Sequence, residues 1–428
     1  MNRVRIADIV TGNDCEICGF VENIRNKRAM AFLVIRDVSG KLQVTIEKEP
    51  NPALAATVDA LTLESVVRVK GRVVENPHVK MGGVEMLPEE MDILSAAEPL
   101  PIQKDAAIDL KLDYRWLDLR EERNLLIFKA QTCMVSAMRR FLLDENFLEI
   151  HTPKLIATAS ESGSDVFELN YFDGKAYLSQ SPQFYKQMAM AGGFDRIFEV
   201  GPSFRAEKSH TSRHTTEFTS FDLELSHIGS FRDVMALEER LLHEALREVK
   251  EKYGEEIARL FGTELVVPAL PFPVIRLPDL YRELESRYGF TVAEEEKGDL
   301  TTEAERMATR FSLDVYGHEF LFVTDFDVTK RPFYHMRENG VPQGYDLLWR
   351  GVEITSGAQR EHRYDLLKAQ TEEQGLGEDV RFYLEFFRYG CPPHGGFAIG
   401  VDRLTMLLLG IGIKEAMFLF RGPNRLTP

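Results

Sequence analysis

Three stretches of the sequence collect side chains able to handle phosphate and carboxylate groups. In the first, Phe204-Arg205-Ala206-Glu207 runs into the polar stretch from Lys208 to Thr216 and then into Glu217-Phe218. A strand, a loop rich in Arg and His, and a returning strand would surround one ligand with cations and an aromatic face. Arginines grip phosphate oxygens through paired hydrogen bonds and a phenylalanine ring stacks on a base, so the loop suits a nucleotide triphosphate. Solvated turns share this composition, and the loop alone does not separate the two.

In the second stretch, Asp346, Glu353 and Arg360 recur at equal, odd spacing within YDLLWRGVEITSGAQR. Side chains alternate between the faces of a strand, so a turn or bulge must intervene if all three are to share one face. Two carboxylates converging there could hold the magnesium that accompanies ATP, and the arginine could pair with a carboxylate substrate. An exposed ion-pair network would read the same way. The third stretch is Gly395-Gly396-Phe397-Ala398-Ile399-Gly400-Val401-Asp402-Arg403, followed by the apolar LTMLLLGI. Glycines before a helix let backbone approach a flat ligand, and an arginine in the first helical turn can reach a phosphate. The string does not fit the dinucleotide fingerprint G-x-G-x-x-G, and a glycine turn packing a helix on a strand is the alternative.

The cysteines, Cys15, Cys18, Cys133 and Cys391, are too few and too scattered for a disulfide framework. Cys15 and Cys18 form a C-x-x-C, but a structural zinc needs a second pair of ligands and none lies at finger spacing. CEICGFVENI reads as a strand, and no metal is assigned there. A formal net charge of −16 runs against the basic footprint of a nucleic-acid partner. Net charge describes solubility more than any local surface, however, so a basic groove remains compatible with it.

At 428 residues the chain has room for two or three domains around these groups. Residues 14–95 alternate in the manner of strands: EICGFVENI, AMAFLVIRDV and KLQVTIEKE, then SVVRVKGRVVE and VEMLPEEMDIL, with the helical NPALAATVDAL between the third and fourth. That order is the layout of a five-stranded OB-fold barrel, expected over residues 1–97. SAAEPLPIQKDAAI loses the alternation, and residues 98–120 are read as a linker. Residues 121–428 mix two long amphipathic helices, LLIFKAQTCMVSAMRRFLLDENF and RDVMALEERLLHEALREVKEKYG, with strand-like runs such as DRIFEVGPSFRAE and TSFDLELSHI. The expectation is an α+β domain built on an antiparallel sheet flanked by helices. No apolar run approaches bilayer length and the start lacks the features of a signal peptide, which points to a cytoplasmic protein without membrane contact.

In this order the three clusters resemble the signature motifs of class II aminoacyl-tRNA synthetases. FLLDENFLEIHTPKL, with Pro153, is similar to the first motif, FRAE…RHTTEF to the second and GGFAIGVDR to the third. YRWLDLR, residues 114–120, resembles the segment that opens the catalytic domain in the subclass with an N-terminal OB-fold. Within that subclass QSPQFYKQ, residues 180–187, resembles the aspartyl-tRNA synthetases; the absence of a large insertion and the ending NRLTP resemble their archaeal and eukaryotic form.

The resemblance implies activation of aspartate by ATP with Mg2+, transfer to tRNA, and a homodimer joined through the first-motif helix. It implies that Arg205 grips the α-phosphate and the attacked carboxylate, that Glu207 receives the adenine amino group and that Phe218 stacks on the ring. Arg213, His214 and Arg403 would hold the outer phosphates, with Gly400 beneath the nucleotide, and Asp346 and Glu353 would be the magnesium ligands. Lys186 and Arg360 would hold the aspartate side chain. Gln183, Ser181 and Asp222 would line the amino-acid pocket, and Glu161 would close over the ammonium. In the barrel, Arg25, Phe32 and Gln43 fall where the family reads the anticodon, although Phe32 also fits a core position of its strand.

Ala398 stands where the third motif commonly has glycine, LFRGPNRLTP replaces the more usual tail with Arg421 in register, and Glu22 stands where relatives carry His or Trp. The last departure leaves open whether tRNA-Asn is charged as well as tRNA-Asp. Two alternatives share the chemistry: a paralogue passing the adenylate to ammonia, as an asparagine synthetase does, and an asparaginyl-tRNA synthetase. Known paralogues of the first kind lack the barrel, and Lys186 argues against the second.

Overall fold

The computed structural model describes residues 3–157, 166–207, 215–376 and 380–428. The chain divides into two compact units, Met1–Leu110 and Lys111–Pro428. Among the described residues no helix is long and apolar enough to cross a membrane.

The first unit is a closed barrel of β1 (Asp14–Asn26), β2 (Met30–Arg36), β3 (Lys41–Glu47), β4 (Val66–Glu75) and β5 (Val84–Ser95), in the order β1-β2-β3-β5-β4. Alternation does the sorting: on β2, Ala31, Leu33 and Ile35 are buried in the barrel while Met30, Phe32 and Val34 stay partly exposed. Helix α1 (Pro52–Asp59) begins with proline in its first turn and buries Leu54 and Val58, one turn apart. The barrel closes tightly at Gly71, where a Cβ would stand 2.2 Å from the Leu87 carbonyl oxygen. Cys15 and Cys18 both lie on β1. Three residues apart on a strand, they face opposite ways and form no pair, as the strand reading of that segment requires.

The second unit is built on an eight-stranded sheet. Its strands are β6 (Leu148–Glu149), β7 (Arg196–Phe204), β8 (Glu217–Ser226), β9 (Val274–Arg276), β10 (Phe320–Thr324), β11 (Gly344–Trp349), β12 (Val352–Arg360) and β13 (His394–Gly400). Their order is β9-β10-β11-β12-β13-β8-β7-β6. The interior pairs are antiparallel, whereas each edge strand runs parallel to its neighbour. Parallel pairing needs a long crossover, and helices lie between the members of both pairs.

One face of this sheet packs on α2 (Glu122–Asp144) and α4 (Phe231–Phe261), with Phe221, Leu223, Tyr345, Leu347, Phe397 and Ile399 among the buried contacts. Helix α4 starts at a capping box between Ser230 and Asp233 and stops at Gly262, which takes a left-handed φ of +67°. With that face apolar, the alternating residues of the same strands are released to the other side. There α3 (Gln183–Ala191) flanks the sheet, whereas α5 (Val401–Leu409) packs into the apolar core beside α2, with Gln131 Nε2 3.1 Å from Thr405 Oγ1.

Candidate active site

Cross-strand register assembles the site. Asp222 on β8 pairs with Ala398 on β13, Ala398 with Ser356 on β12, and Ser356 with Asp346 on β11. The next row on the same face is Glu224, Gly396, Ala358 and Gly344. Glu353 joins this face through an irregularity: Leu347 pairs with Thr355 but Leu348 with Glu353, so Ile354 is extra. The hairpin turn and this bulge together resolve the odd spacing of Asp346, Glu353 and Arg360. A cavity of about 390 Å³ opens over these rows, lined among others by Lys186, Arg205, Phe218, Glu353, Arg360 and Arg403.

At one end of the cavity two cations and two anions are interleaved out of water. Lys186 Nζ lies 3.0 Å from Asp222 Oδ1 and 3.5 Å from Glu224 Oε2, and Arg360 Nε donates to Glu224 Oε1 at 2.9 Å. All four side chains are at most 4% exposed. Burial alone would raise the Glu224 pKa, but Arg360 and then Lys186 outweigh it and hold the carboxyl below its ordinary value. Ser220 Oγ donates to Asp222 Oδ2 at 2.5 Å. Gln183 is used on both sides of its amide: Oε1 accepts from Arg360 Nη2 at 3.3 Å and Nε2 donates to Gln187 Oε1 at 3.1 Å. Two residues before α3, Ser181 Oγ accepts from Gln183 N at 3.2 Å.

At the other end the surroundings suit a nucleotide. The Arg205 guanidinium lies 5.3 Å from the centre of the Phe218 ring and 3.9 Å from Glu207 Oε1. All three side chains line the cavity. Gly400 ends β13 at the cavity wall, and Arg403 in the first turn of α5 donates to the Glu353 carbonyl at 2.9 Å. Ala398 also lines the cavity, at the centre of the first cross-strand row. The tail meets the second-motif loop through Arg421, whose carbonyl accepts from Thr216 N at 3.1 Å and Thr215 Oγ1 at 2.7 Å. Glu161, Arg213 and His214 lie outside the described residues.

The two carboxylates assigned to magnesium differ in their present partners. Asp346 accepts from Arg331 in a fork, 2.8 Å to Oδ1 and 2.6 Å to Oδ2. The Glu353 carboxyl opens onto the cavity, yet burial by the surrounding protein, and next Asp346, push its pKa up to about 8 against the pull of Arg403 and Arg331. A carboxyl so crowded by negative charge fits a divalent cation, which would relieve the repulsion. Among the described residues no group of three or more His, Cys, Asp or Glu side chains could hold a metal. Magnesium bound through one or two carboxylates plus substrate phosphates does not require such a group.

Three functional candidates were not singled out in the sequence. Glu224 follows Asp222 at the strand period of two, which is the signal that could have found it. Arg331 and His335 come from the irregular RPFYHM segment, where no periodicity announces their direction.

In the barrel, Arg25 on β1 pairs with Phe32 on β2, and Phe32 with Thr45 on β3. The Arg25 guanidinium stacks 4.3 Å from the centre of the Phe32 ring, which stands outside the barrel core. Gln43 Nε2 donates to Thr45 Oγ1 at 3.1 Å and to Glu85 Oε2 at 3.0 Å, which turns its carbonyl into the atom left for a ligand. Glu22 is the bulged residue of β1, gripped by Lys41 at 2.8 Å and approached by Arg36 at 3.4 Å.

Comparison with known proteins matches residues 107–420 to the family described as tRNA synthetases class II (D, K and N). Residues 15–94 match the OB-fold nucleic acid binding domain. The chain is 40% identical over 442 residues to the aspartate–tRNA(Asp/Asn) ligase of Aeropyrum pernix, covering 99% of each chain. It is 40% identical over 434 residues to the aspartate–tRNA(Asp) ligase of Pyrococcus abyssi, covering 99% of this chain and 98% of the other. Among solved structures, asparaginyl-tRNA synthetase from Pyrococcus horikoshii with asparaginyl-adenylate superposes with a TM-score of 0.91 at 31% identity, covering 100% of both chains.

Proposed function

Because the chain belongs to the class II tRNA synthetases of the D, K and N group, we propose that the cavity over its large sheet binds ATP beside aspartate. The chain activates aspartate and ligates it to tRNA-Asp, and charging of tRNA-Asn is compatible with its relatives. The observation that carries the residue assignments is the meeting of Lys186 and Arg360 on Glu224 at one end of a cavity whose other end holds Arg205, Phe218 and Arg403.

In this reading the substrate's side-chain carboxylate lies between Lys186 and Arg360, while Asp222 faces its ammonium. Phe218 stacks on adenine, Glu207 receives its amino group and Arg403 holds the outer phosphates above Gly400. Arg205 grips the α-phosphate and the attacking carboxylate. The aspartate α-carboxylate then attacks the α-phosphorus in line, pyrophosphate leaves, and the terminal ribose hydroxyl of the tRNA attacks the mixed anhydride. No protein nucleophile is needed, so the side chains act by positioning and by meeting charge as it develops. Asp346 and Glu353 are the residues that would hold Mg2+, which when bound would neutralise phosphate charge. Arg331 restrains Asp346 in its present orientation.

The barrel presents Arg25, Phe32 and Gln43 to the anticodon, with Phe32 as a stacking surface and Gln43 reading a base edge. Exposed Leu143, Leu148 and Leu155, in and just after the first-motif helix, favour a homodimer through this segment. A cytoplasmic location accompanies this role.

Pyrophosphate exchange into ATP tests the reading. Exchange should require magnesium and aspartate; equal exchange with asparagine would reject the amino-acid assignment. Charging of separate tRNA-Asp and tRNA-Asn transcripts would define the second substrate.

A further inference from the structure

His335 lies directly opposite Arg360 in a short antiparallel bridge. Backbone bonds hold the bridge on both sides, Met336 N donating to Gln359 O at 3.0 Å and Glu361 N to Tyr334 O at 2.9 Å. The imidazole is 3% exposed, lines the cavity and brings Nε2 to 3.4 Å from Arg360 Nη1. A guanidinium only donates, so Nε2 accepts and the ring proton belongs on Nδ1.

Nδ1 has no hydrogen-bond partner among the described residues, and a Cβ on Gly344 would stand 3.1 Å from it. A buried donor without a partner is destabilising, and an apolar side chain here would avoid that cost. Burial first, and then Arg360 and Arg331, hold the imidazole pKa well below its ordinary value, which keeps the ring a neutral acceptor near pH 7.

The arrangement decides how much of Arg360 a substrate can use. Its Nε donates to Glu224, and Nη2 donates to Gln183 Oε1 and to the Gly396 carbonyl at 3.0 Å. His335 takes one N–H of Nη1, so among the described residues a single N–H on that nitrogen remains.

We infer that His335 is a positioning residue of the amino-acid pocket: by engaging Nη1 it aims the last free N–H of Arg360 and makes the substrate's side-chain carboxylate bridge Arg360 and Lys186. A forked grip by Arg360 alone is thereby excluded. The inference rests on the proposed placement of aspartate between these two cations. Each carboxylate oxygen then meets a different cation, so an amide in either orientation turns its NH2 toward a positive charge.

The test is pyrophosphate exchange with His335→Leu, which removes the acceptor, and His335→Gln, which restores a neutral one. The Leu variant should raise the KM for aspartate about tenfold, the loss of one oriented interaction, while the KM for ATP stays within about twofold. The Gln variant should recover most of the aspartate affinity. An unchanged aspartate KM in the Leu variant, a parallel rise in the ATP KM, or no recovery with Gln would each overturn the inference. Should the Leu variant fail to fold by thermal melting, His335→Met replaces it in the same comparison and is read by the same criteria. Wild-type enzyme that ignores aspartate would instead strike the functional reading, so the two failures are separable.

Discussion

Arg360 and Glu224 meet above Gly396, where Arg360 Nε donates to Glu224 Oε1 at 2.9 Å and Arg360 Nη2 to the Gly396 carbonyl at 3.0 Å. A buried anion thus holds together two cations that would otherwise repel in a water-poor pocket. Breaking such a group costs about 3–5 kcal/mol because it strands uncompensated charge.

Glu224→Gln should therefore lower the melting temperature at pH 7. The pH dependence has a definite sign, because the folded carboxyl titrates below its unfolded value. Its stabilisation is present above the unfolded pKa and fades as pH falls through the folded one. The melting gap between wild type and Glu224→Gln should accordingly narrow below about pH 4; a gap that widens there would contradict the ion-pair account.

Gly396→Ala should damage both fold and aspartate binding. The added Cβ would lie 2.1 Å from the Leu223 carbonyl oxygen and 2.4 Å from Glu224 Oε2. The first neighbour is backbone and cannot rotate away, so overpacking of about 1–3 kcal/mol is expected. Thermal melting and the aspartate KM check this, and a variant with both unchanged would show that the strands separate freely.

Glu238 predicts the opposite pH trend to Glu224. It lies at 0% exposure in the core, where Tyr345 donates to Oε2 at 2.6 Å, and burial pushes its carboxyl up to about 8. The folded protein keeps a proton there that the unfolded chain releases above about pH 4.5, so stability declines as pH rises from about 4.5 to 8. Glu238→Gln should gain in melting temperature relative to wild type between pH 5 and pH 8. A constant difference across that interval would remove Glu238 as the cause.

Arg205→Ala removes the cation beside Phe218 at the nucleotide end of the cavity. Loss of a group that meets developing charge typically lowers kcat by about 10²–10³. Exchange near the wild-type rate would place the second motif elsewhere.

Phe32→Ala should separate the two steps of the reaction. With the ring outside the barrel core, its removal should weaken tRNA charging by about 1–3 kcal/mol of base stacking while adenylate formation continues. Equal loss of both activities would argue for a structural role.

Much of this protein was legible without coordinates wherever a short period governs the backbone. Alternation over residues 14–95 was enough for the barrel, because burying one face of a strand dictates every second residue. The order of the second and third motifs likewise located Arg205, Phe218 and Arg403, which do line one cavity.

Tertiary structure decided what lies between such segments. The sequence required some break between Asp346 and Glu353, but packing chose the hairpin turn and placed the extra residue at Ile354. Phe32 suited either the core or the outer face until barrel closure set the direction of β2. The pairings of Arg331 with Asp346 and of His335 with Arg360 join strands to an irregular segment that carries no period. Charge and hydrogen-bond partnership over such distances depend on where the whole fold brings the chain back, which no local pattern encodes.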